Sequence, residues 1–275
     1  MDINEVNKTD IELKPFEPKN ELNKDFFDKE GNLKPYIRMH LLDIADDFID
    51  ELEMKWVKPK DIVITGSLAN YNWSKYSDVD IHIIYNFKSI YKNVEFVKDY
   101  FDSKRNLWNK AHEELSINGY PVEISVEDTN SPAQSTGVYS LEKNKWVKEP
   151  QDMSDAELNK DYIKSFCAKN MTKLDDLFDR IDKENDKVKL QRLGDKLVKL
   201  YDRLHDMRKE GLATKAKEMS TGNIIWKVIK HAGYADKIWK YKDKVYDEVN
   251  TLNEGKTIVL SESQVDKIKS INENK

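Results

Sequence analysis

The chain contains one cysteine, Cys167, in 275 residues. A lone thiol excludes an intramolecular disulfide, a cysteine-rich zinc site and a small secreted scaffold held by bridges. Its setting, Tyr162-Ile-Lys-Ser-Phe-Cys167, reads as a helix flank carrying a buried structural thiol. Glycine and proline are scarce, at nine and seven residues, which favours long helices over turn-rich β architecture. Arginine is scarcer still: only six of the 46 basic residues, at positions 38, 105, 180, 192, 203 and 208. Bidentate phosphate recognition by many guanidinium groups is thereby excluded. With 51 acidic residues the net charge is −5, so no strongly basic nucleic-acid surface is expected. No apolar run approaches the ~18 residues of a membrane helix. The polar start Met1-Asp-Ile-Asn-Glu-Val-Asn-Lys8 lacks the apolar segment of a signal peptide. These absences predict a soluble, cytoplasmic protein with no membrane partner.

What is present divides the chain. At roughly 150 residues per domain the length suggests about two domains, and the 39% apolar content suffices for two modest cores. Residues 1–35 are polar and contain Pro15 and Pro18, so a flexible N-terminal arm is expected, with Phe16, Phe26 and Phe27 as docking points. Residues 36–149 read as an α/β domain. Ile37, Leu41, Ile44, Phe48, Leu52 and Trp56 recur at steps of three and four, predicting a helix over 36–56. Asp61-Ile-Val-Ile-Thr65 is a β-branched run read as a buried strand stopped by Gly66. Val79, Ile81 and Ile83 alternate with Asp78, Asp80 and His82, a half-buried strand. Val97, Phe101, Trp108, Ala111 and Leu115 predict a helix over 93–116, and Val122, Ile124 and Val126 alternate with Glu123, Ser125 and Glu127 as a third strand. With a further helix expected after Gly66-Ser67, the order is helix–strand–helix–strand–helix–strand, that of an α/β unit.

Residues 150–253 read as an all-α helical domain. The capping box Ser154-Asp-Ala-Glu157 opens it. Leu190, Leu193, Leu197, Leu200, Leu204 and Met207 keep a helical rhythm that Gly194 interrupts at a cost of about 1 kcal/mol. Close packing against a neighbour and a neutral surface position both accommodate that glycine. Ser220-Thr-Gly-Asn223 signals another cap before Ile224–His231, and 234–252 is again helical. Residues 254–275 form a C-terminal tail with one short helix, opened by Ser261-Glu-Ser-Gln264.

The chemistry concentrates between Asp61 and Ile83. A strand ending at Gly66-Ser67 presents free amides and a hydroxyl, a place that attracts phosphate. Eleven residues on, Asp78 and Asp80 open a strand at i and i+2, which puts both carboxylates on one face. Paired carboxylates repel, and a divalent cation resolves the repulsion. Mg²⁺ commonly takes one or two protein carboxylates and completes its shell with water and phosphate oxygens. Gly66, Ser67, Asp78 and Asp80 therefore describe a site for a metal–nucleotide complex. Glu123, on the third strand, is positioned to share a second metal and to help deprotonate an attacking hydroxyl. Glu127 lies on the same strand face, roughly 13 Å further along at about 3.3 Å per residue, so only one of the two can serve. Glu123, flanked by Val122 and Ile124, lies within the sheet; Glu127 adjoins the turn-rich run Asp128-Thr-Asn130, which favours Glu123.

The hydrophobic–Gly-Ser, spacer, Asp-x-Asp and later hydrophobic–Glu–hydrophobic pattern over about residues 60–127 resembles the DNA polymerase β-type nucleotidyltransferase superfamily. That resemblance implies a mixed-sheet nucleotidyltransferase-like α/β domain followed by a helical domain. Gly66 and Ser67 would hold a nucleoside triphosphate such as ATP, Asp78 and Asp80 would bind Mg²⁺ or Mn²⁺, and Glu123 would be the third acid. The implied reaction transfers a nucleoside monophosphate to an acceptor hydroxyl of a small molecule, an RNA end or a protein, releasing pyrophosphate. The stretch Gly137-Val-Tyr-Ser-Leu141 through Trp146 and Pro150 more loosely resembles uncharacterised phage-encoded predicted nucleotidyltransferases, implying action in a bacterial host. A catalytically silent nucleotide-binding or protein-interaction module on the same fold is the alternative.

Other residues qualify this picture. His82 shares the face of Asp78 and Asp80 and reads as a hydrogen-bonding histidine beneath the site. Lys104, Arg105 and Lys110 read as solvated helix charges. Arg208, Lys209, Lys215, Lys217, Lys227, Lys230 and His231 form a local basic excess. Lys227, Lys230 and His231 fall at i, i+3 and i+4 on one helical face, and Lys227 and Lys230 are candidates for binding the triphosphate if that face closes over the site. Trp226, Tyr234, Trp239 and Tyr241 are read as packing between helices rather than stacking a base.

Overall fold

A computed structural model describes residues 10–131, 135–151, 157–252 and 260–273. Helix α1 (Pro35–Glu51) leads into strands β1 (Asp61–Thr65) and β2 (Val79–Tyr85), then the single turn α2 (Phe87–Ile90) and helix α3 (Val94–Ala111). Strands β3 (Ser116–Ile117), β4 (Tyr120–Asp128), β5 (Val138–Ser140) and β6 (Lys145–Lys148) complete a sheet of order β3-β4-β2-β1-β5-β6. The β2–β4 pair is parallel and the other pairs are antiparallel, so the sheet is mixed. One face buries Ile62, Ile64, Val79, Ile81, Ile83, Val122 and Ile124 against Ile37, Leu41 and Phe48 of α1 and Val97, Phe101 and Trp108 of α3. Each such side chain contributes about 1.5–3 kcal/mol on burial. Strand alternation sends Asp80, His82, Glu123, Ser125 and Glu127 to the opposite face, which leaves the polar set free for chemistry.

Several elements differ from the sequence reading. Helix α1 ends at Glu51 because Glu53 adopts a left-handed φ of 55°, and Trp56 is 74% exposed rather than part of the apolar face. No helix forms between β1 and β2. Residues 66–78 form successive turns in which side chains take over the backbone partners a helix would use: Asn70 Nδ2 donates to the Gly66 carbonyl and Ser77 Oγ accepts from Ser74 N. Helix α3 stops at Ala111, and Asn118-Gly119, with φ of 52° and 82°, makes the two-residue hairpin between β3 and β4. Strands β5 and β6 have no counterpart in the sequence reading; three and four residues show too little alternation to read.

The segment before α1 is tied to both halves of the molecule. Phe26 and Phe27 are 0% and 2% exposed in the sheet core, with Phe27 stacked on Trp146 at 5.3 Å, while Ile11, Leu13 and Phe16 enter the helical core. That helical region comprises α4 (Lys160–Lys183), α5 (Lys187–Ala213), α6 (Thr221–His231) and α7 (Tyr234–Asn250), followed by α8 (Glu262–Glu273). Ser154 of the expected capping box lies outside the described residues; Asn159 caps α4 by accepting from Tyr162 N at 3.0 Å. Ser220 caps α6, and Gln264 reaches back to Ser261 N at the start of α8. A Cβ on Gly194 would stand 2.8 Å from Val245 Cγ1, so this glycine permits close approach of α5 and α7. Cys167 is fully buried, and burial pushes its thiol up to about 12. Among the described residues no helix is long and apolar enough to cross a membrane.

Candidate functional site

The turn after β1 is built around the Asp80 carboxylate. Gly66 has a φ of +72°, and a Cβ placed there would lie 1.8 Å from Asp80 Oδ2. Glycine is needed twice over, for its backbone conformation and for the space Asp80 occupies. Asn70, fully buried, fixes the turn by donating to the Gly66 carbonyl at 2.7 Å. Ser67 Oγ donates to Ser77 Oγ at 2.7 Å, and Ser77 Oγ accepts from Ser74 N at 2.9 Å, so the hydroxyl belongs to a bonded loop.

The carboxylates come together by strand register. Asp80 lies opposite Thr65 on β1 and Glu123 on β4, and Asp78 directly precedes β2. Burial, with Glu123 and Asp78 as like charges, pushes the Asp80 carboxyl up to about 6, against the opposing pull of His82 and Lys230. Glu127 has a different partner: His82 Nδ1 donates to its Oε1 at 2.9 Å and holds it below the usual carboxylate range. His82 is thus the hydrogen-bonding residue its position suggested. Glu123 and Glu127 are separated not only by distance along β4 but by what each one faces.

The opposite wall is cationic. Lys230 of α6 sits 3.2 Å from Asp78 Oδ2; burial opposes its charge, but the Asp78 carboxylate carries the ammonium above its ordinary value. Burial, then the Arg208 charge, pushes Lys227 down to about 8 despite Glu218, Asp80 and Asp78. Arg208 of α5 is also lowered by burial, and its Nε has no hydrogen-bond partner among the described residues. The Arg208 guanidinium lies 5.9 Å from the Trp226 ring centre. Lys227 likewise has no hydrogen bond to a described residue. Gly66, Ser67, Asp78, Asp80, Glu123, Lys227, Lys230 and Arg208 all line one cavity of about 1210 Å³ between the sheet and the helices.

Residues 45–151 match the family model of the nucleotidyltransferase domain. The match covers 107 of the 275 residues and agrees with the resemblance carried by Gly66-Ser67, Asp78, Asp80 and Glu123. No curated protein and no solved structure matches the chain. The matched segment begins within α1 and spans all six strands, so it contains the turn and the carboxylates. Arg208, Lys227 and Lys230 lie beyond it, on α5 and α6, and meet it across the cavity.

Arg208 was legible only as part of a basic excess, because it sits on a different helix from Lys227. Arg105, read as a solvated charge, instead lines the cavity and donates to Ser125 Oγ at 3.4 Å. Lys104 reaches the Glu51 carbonyl at 3.4 Å. The helical aromatics pack among themselves: Trp226 lies edge-on to Tyr201, and Tyr241 lies 4.4 Å from Phe178.

Proposed function

We propose that this protein is a Mg²⁺-dependent nucleotidyltransferase that moves a nucleoside monophosphate from a nucleoside triphosphate to an acceptor hydroxyl. One observation carries the reading: Arg208 and Lys227, partly buried cations without hydrogen-bond partners among the described residues, stand across one cavity from Asp78, Asp80 and Glu123. Buried charges without partners cost stability, and a polyanion bridged to carboxylates by a metal satisfies both walls together.

Among the described residues no three His, Cys, Asp or Glu side chains converge into a ready metal cage. Mg²⁺ does not require one, since it commonly uses one or two carboxylates together with substrate phosphates. Asp78 and Asp80 fit that donor set, and the burial that, with the like charges of Glu123 and Asp78, lifts Asp80 to about 6 is what a divalent cation would compensate. Bound there, the metal would neutralise charge on the phosphate oxygens and make the attacking hydroxyl more acidic. The protein's own groups do the rest. Lys227, Lys230 and Arg208 bind the β- and γ-phosphates, with Lys230 leaving Asp78 as the triphosphate enters. The Gly66-Ser67 turn cradles the tail. The acceptor oxygen bonds to the α-phosphorus, the bond to the bridging oxygen breaks, and pyrophosphate leaves with that electron pair. A Glu123 carboxylate oxygen takes the hydroxyl proton, while Glu127 stays engaged with His82. The acceptor is a hydroxyl of a small molecule, an RNA 3′ end or a protein side chain. The net charge of −5 favours one without a long phosphate backbone.

The test pairs binding with turnover. Mg²⁺ plus a nucleoside triphosphate should raise the melting temperature, as ligand linkage requires. Asp80→Asn should keep the fold and lower pyrophosphate release by about 100-fold or more. Glu123→Gln should stop transfer but bind triphosphate, and Glu127→Gln should remain active. Near wild-type pyrophosphate release from Asp80→Asn refutes the assignment.

A further inference from the structure

Eight buried side-chain polar atoms lack a hydrogen-bond partner among the described residues, and six of them belong to residues lining the one large cavity. Arg208 Nε and Arg105 Nε are cationic donors, Glu218 Oε2 is anionic and Trp226 Nε1 is a single donor. Asn72 differs from all of these. It is 3% exposed, and both its Nδ2 and its Oδ1 are unpartnered. A buried amide with neither end bonded costs stability, and an apolar side chain of the same shape would avoid that cost.

We propose that Asn72 binds the nucleobase of the nucleotide, a reading that rests on the transferase function proposed above. An amide offers two donors and an acceptor side by side, the complement of the donor–acceptor edge that a nucleobase presents. Being neutral, it has nothing to offer a triphosphate that Arg208, Lys227 and Lys230 do not supply better. Along the chain Asn72 lies between Tyr71 and Trp73, and aromatic side chains share its cavity. Tyr76, from the same β1–β2 connection, stands with its ring centre 3.8 Å from that of His231 and 6.4 Å from that of Phe16. All three rings line the cavity with Asn72. Aromatic rings and a neutral amide suit the flat, uncharged end of a nucleotide, as the cationic wall suits its phosphates. The amide carries donors on one side and an acceptor on the other, and no described residue bonds either. Asn72 thereby provides affinity for a base edge rather than a strict choice among bases.

The experiment uses the full chain with Mg²⁺ and three probes: the best-binding nucleoside triphosphate, ribose 5′-triphosphate and inorganic tripolyphosphate. Asn72→Leu removes both hydrogen-bonding groups at nearly constant size. It should weaken the nucleoside triphosphate about tenfold, equivalent to 1.4 kcal/mol, and leave the two base-free probes unchanged. The melting temperature without ligand should rise, because the unsatisfied amide is gone. Asn72→Ser provides the same binding comparison should the leucine variant not fold. Unchanged nucleoside triphosphate affinity, or parallel weakening of all three probes, overturns the assignment. Tripolyphosphate separates this from the underlying reading: bound by the wild type while Asn72→Leu spares the base, it leaves the transferase reading standing and this one refuted. If neither tripolyphosphate nor nucleotide binds, both fall.

Discussion

The contact between Gly66 and Asp80 allows one substitution to be worked through from geometry. In Gly66→Ala the new Cβ would begin 1.8 Å from Asp80 Oδ2, 2.8 Å from its Cγ and 3.2 Å from its Cβ. The carboxylate must then swing away by more than 1 Å to restore ordinary contact. Displacements of about 1 Å at a reacting centre can cost on the order of 100-fold in rate. The positive φ adds a backbone penalty of about 1–2 kcal/mol for any residue with a Cβ. Gly119 supplies the control. Its φ is +82°, but a Cβ there would meet nothing within 4 Å. Gly119→Ala should therefore lose only the backbone term of about 1–2 kcal/mol and keep the Mg²⁺–nucleotide-dependent rise in melting temperature. Gly66→Ala should lose more stability than Gly119→Ala and should lose that rise as well. Denaturant titration and thermal shift with and without Mg²⁺–nucleotide read both quantities. Equal behaviour of the two variants would refute the claim that Gly66 is glycine because of Asp80.

Two further outcomes follow from buried contacts. Lys227 is pushed down to about 8 by burial and then by Arg208, so the unfolded chain holds its proton more tightly than the folded one. The resulting penalty on folding is absent above the unfolded pKa of about 10.4, grows as pH falls to the folded value, and reaches about 3 kcal/mol at neutral pH. Lys227→Met should accordingly raise the ligand-free melting temperature at pH 7, flatten the rise in stability between pH 8 and 10, and abolish triphosphate binding; an unchanged pH profile contradicts the assignment. Gly194→Ala gains about 1 kcal/mol of helix propensity but places a Cβ 2.8 Å from Val245 Cγ1. Net destabilisation of about 1–3 kcal/mol is expected, relieved in the Gly194→Ala/Val245→Ala pair, and additivity in that double-mutant cycle would place the cost elsewhere.

Much of the site was legible because strand chemistry is local. Alternation over Asp78–Ile83 and Val122–Glu127 tells which side chains share a face, and the sheet does set Asp80 beside Glu123. The proposed choice of Glu123 over Glu127 rests only partly on local sequence. Position within the strand favoured Glu123, but the stronger reason is the hydrogen bond between His82 and Glu127, which depends on how two strands are aligned. Polar turns were harder to foresee. Residues 66–78 carry Ser67, Asn70, Ser74 and Ser77, and their hydrogen bonds replace the helix expected after Gly66-Ser67. Asn118-Gly119 was a readable hairpin signal, obscured by the apolar rhythm of α3 running up to Leu115. Arg208 and Lys227 could not be joined from sequence, since their proximity follows from how α5 packs on α6.

The two halves of the cavity are linked by more than their opposite charges. Glu218, in the short turn before α6, accepts from Thr136 N at 2.9 Å through Oε1. Thr136 Oγ1 donates to Asn70 Oδ1 at 2.5 Å, and Asn70 Nδ2 donates to the Gly66 carbonyl at 2.7 Å. Glu218, Thr136 and Asn70 are all buried, so these bonds are shielded from competing water. Two glycines leave room for the same neighbours. A Cβ on Gly137 would strike the Ala69 carbonyl oxygen at 2.0 Å, and one on Gly222 would strike the Met207 carbonyl oxygen at 2.1 Å. The first contact seats the strand-entry segment of β5 against the turn; the second seats α6 against α5 beside Arg208. The turn that presents Gly66 to Asp80 and the helix that presents Lys227 and Lys230 are therefore held by one hydrogen-bonded chain through Glu218. The proposed catalytic groups would have to be kept within a fraction of an ångström to be effective, and a buried relay from the turn to the helix can do this without occupying the space between the walls. Lys227 and Arg208 can then remain without hydrogen-bond partners while Lys230 pairs with Asp78, at a cost in stability that the proposed nucleotide would offset on binding.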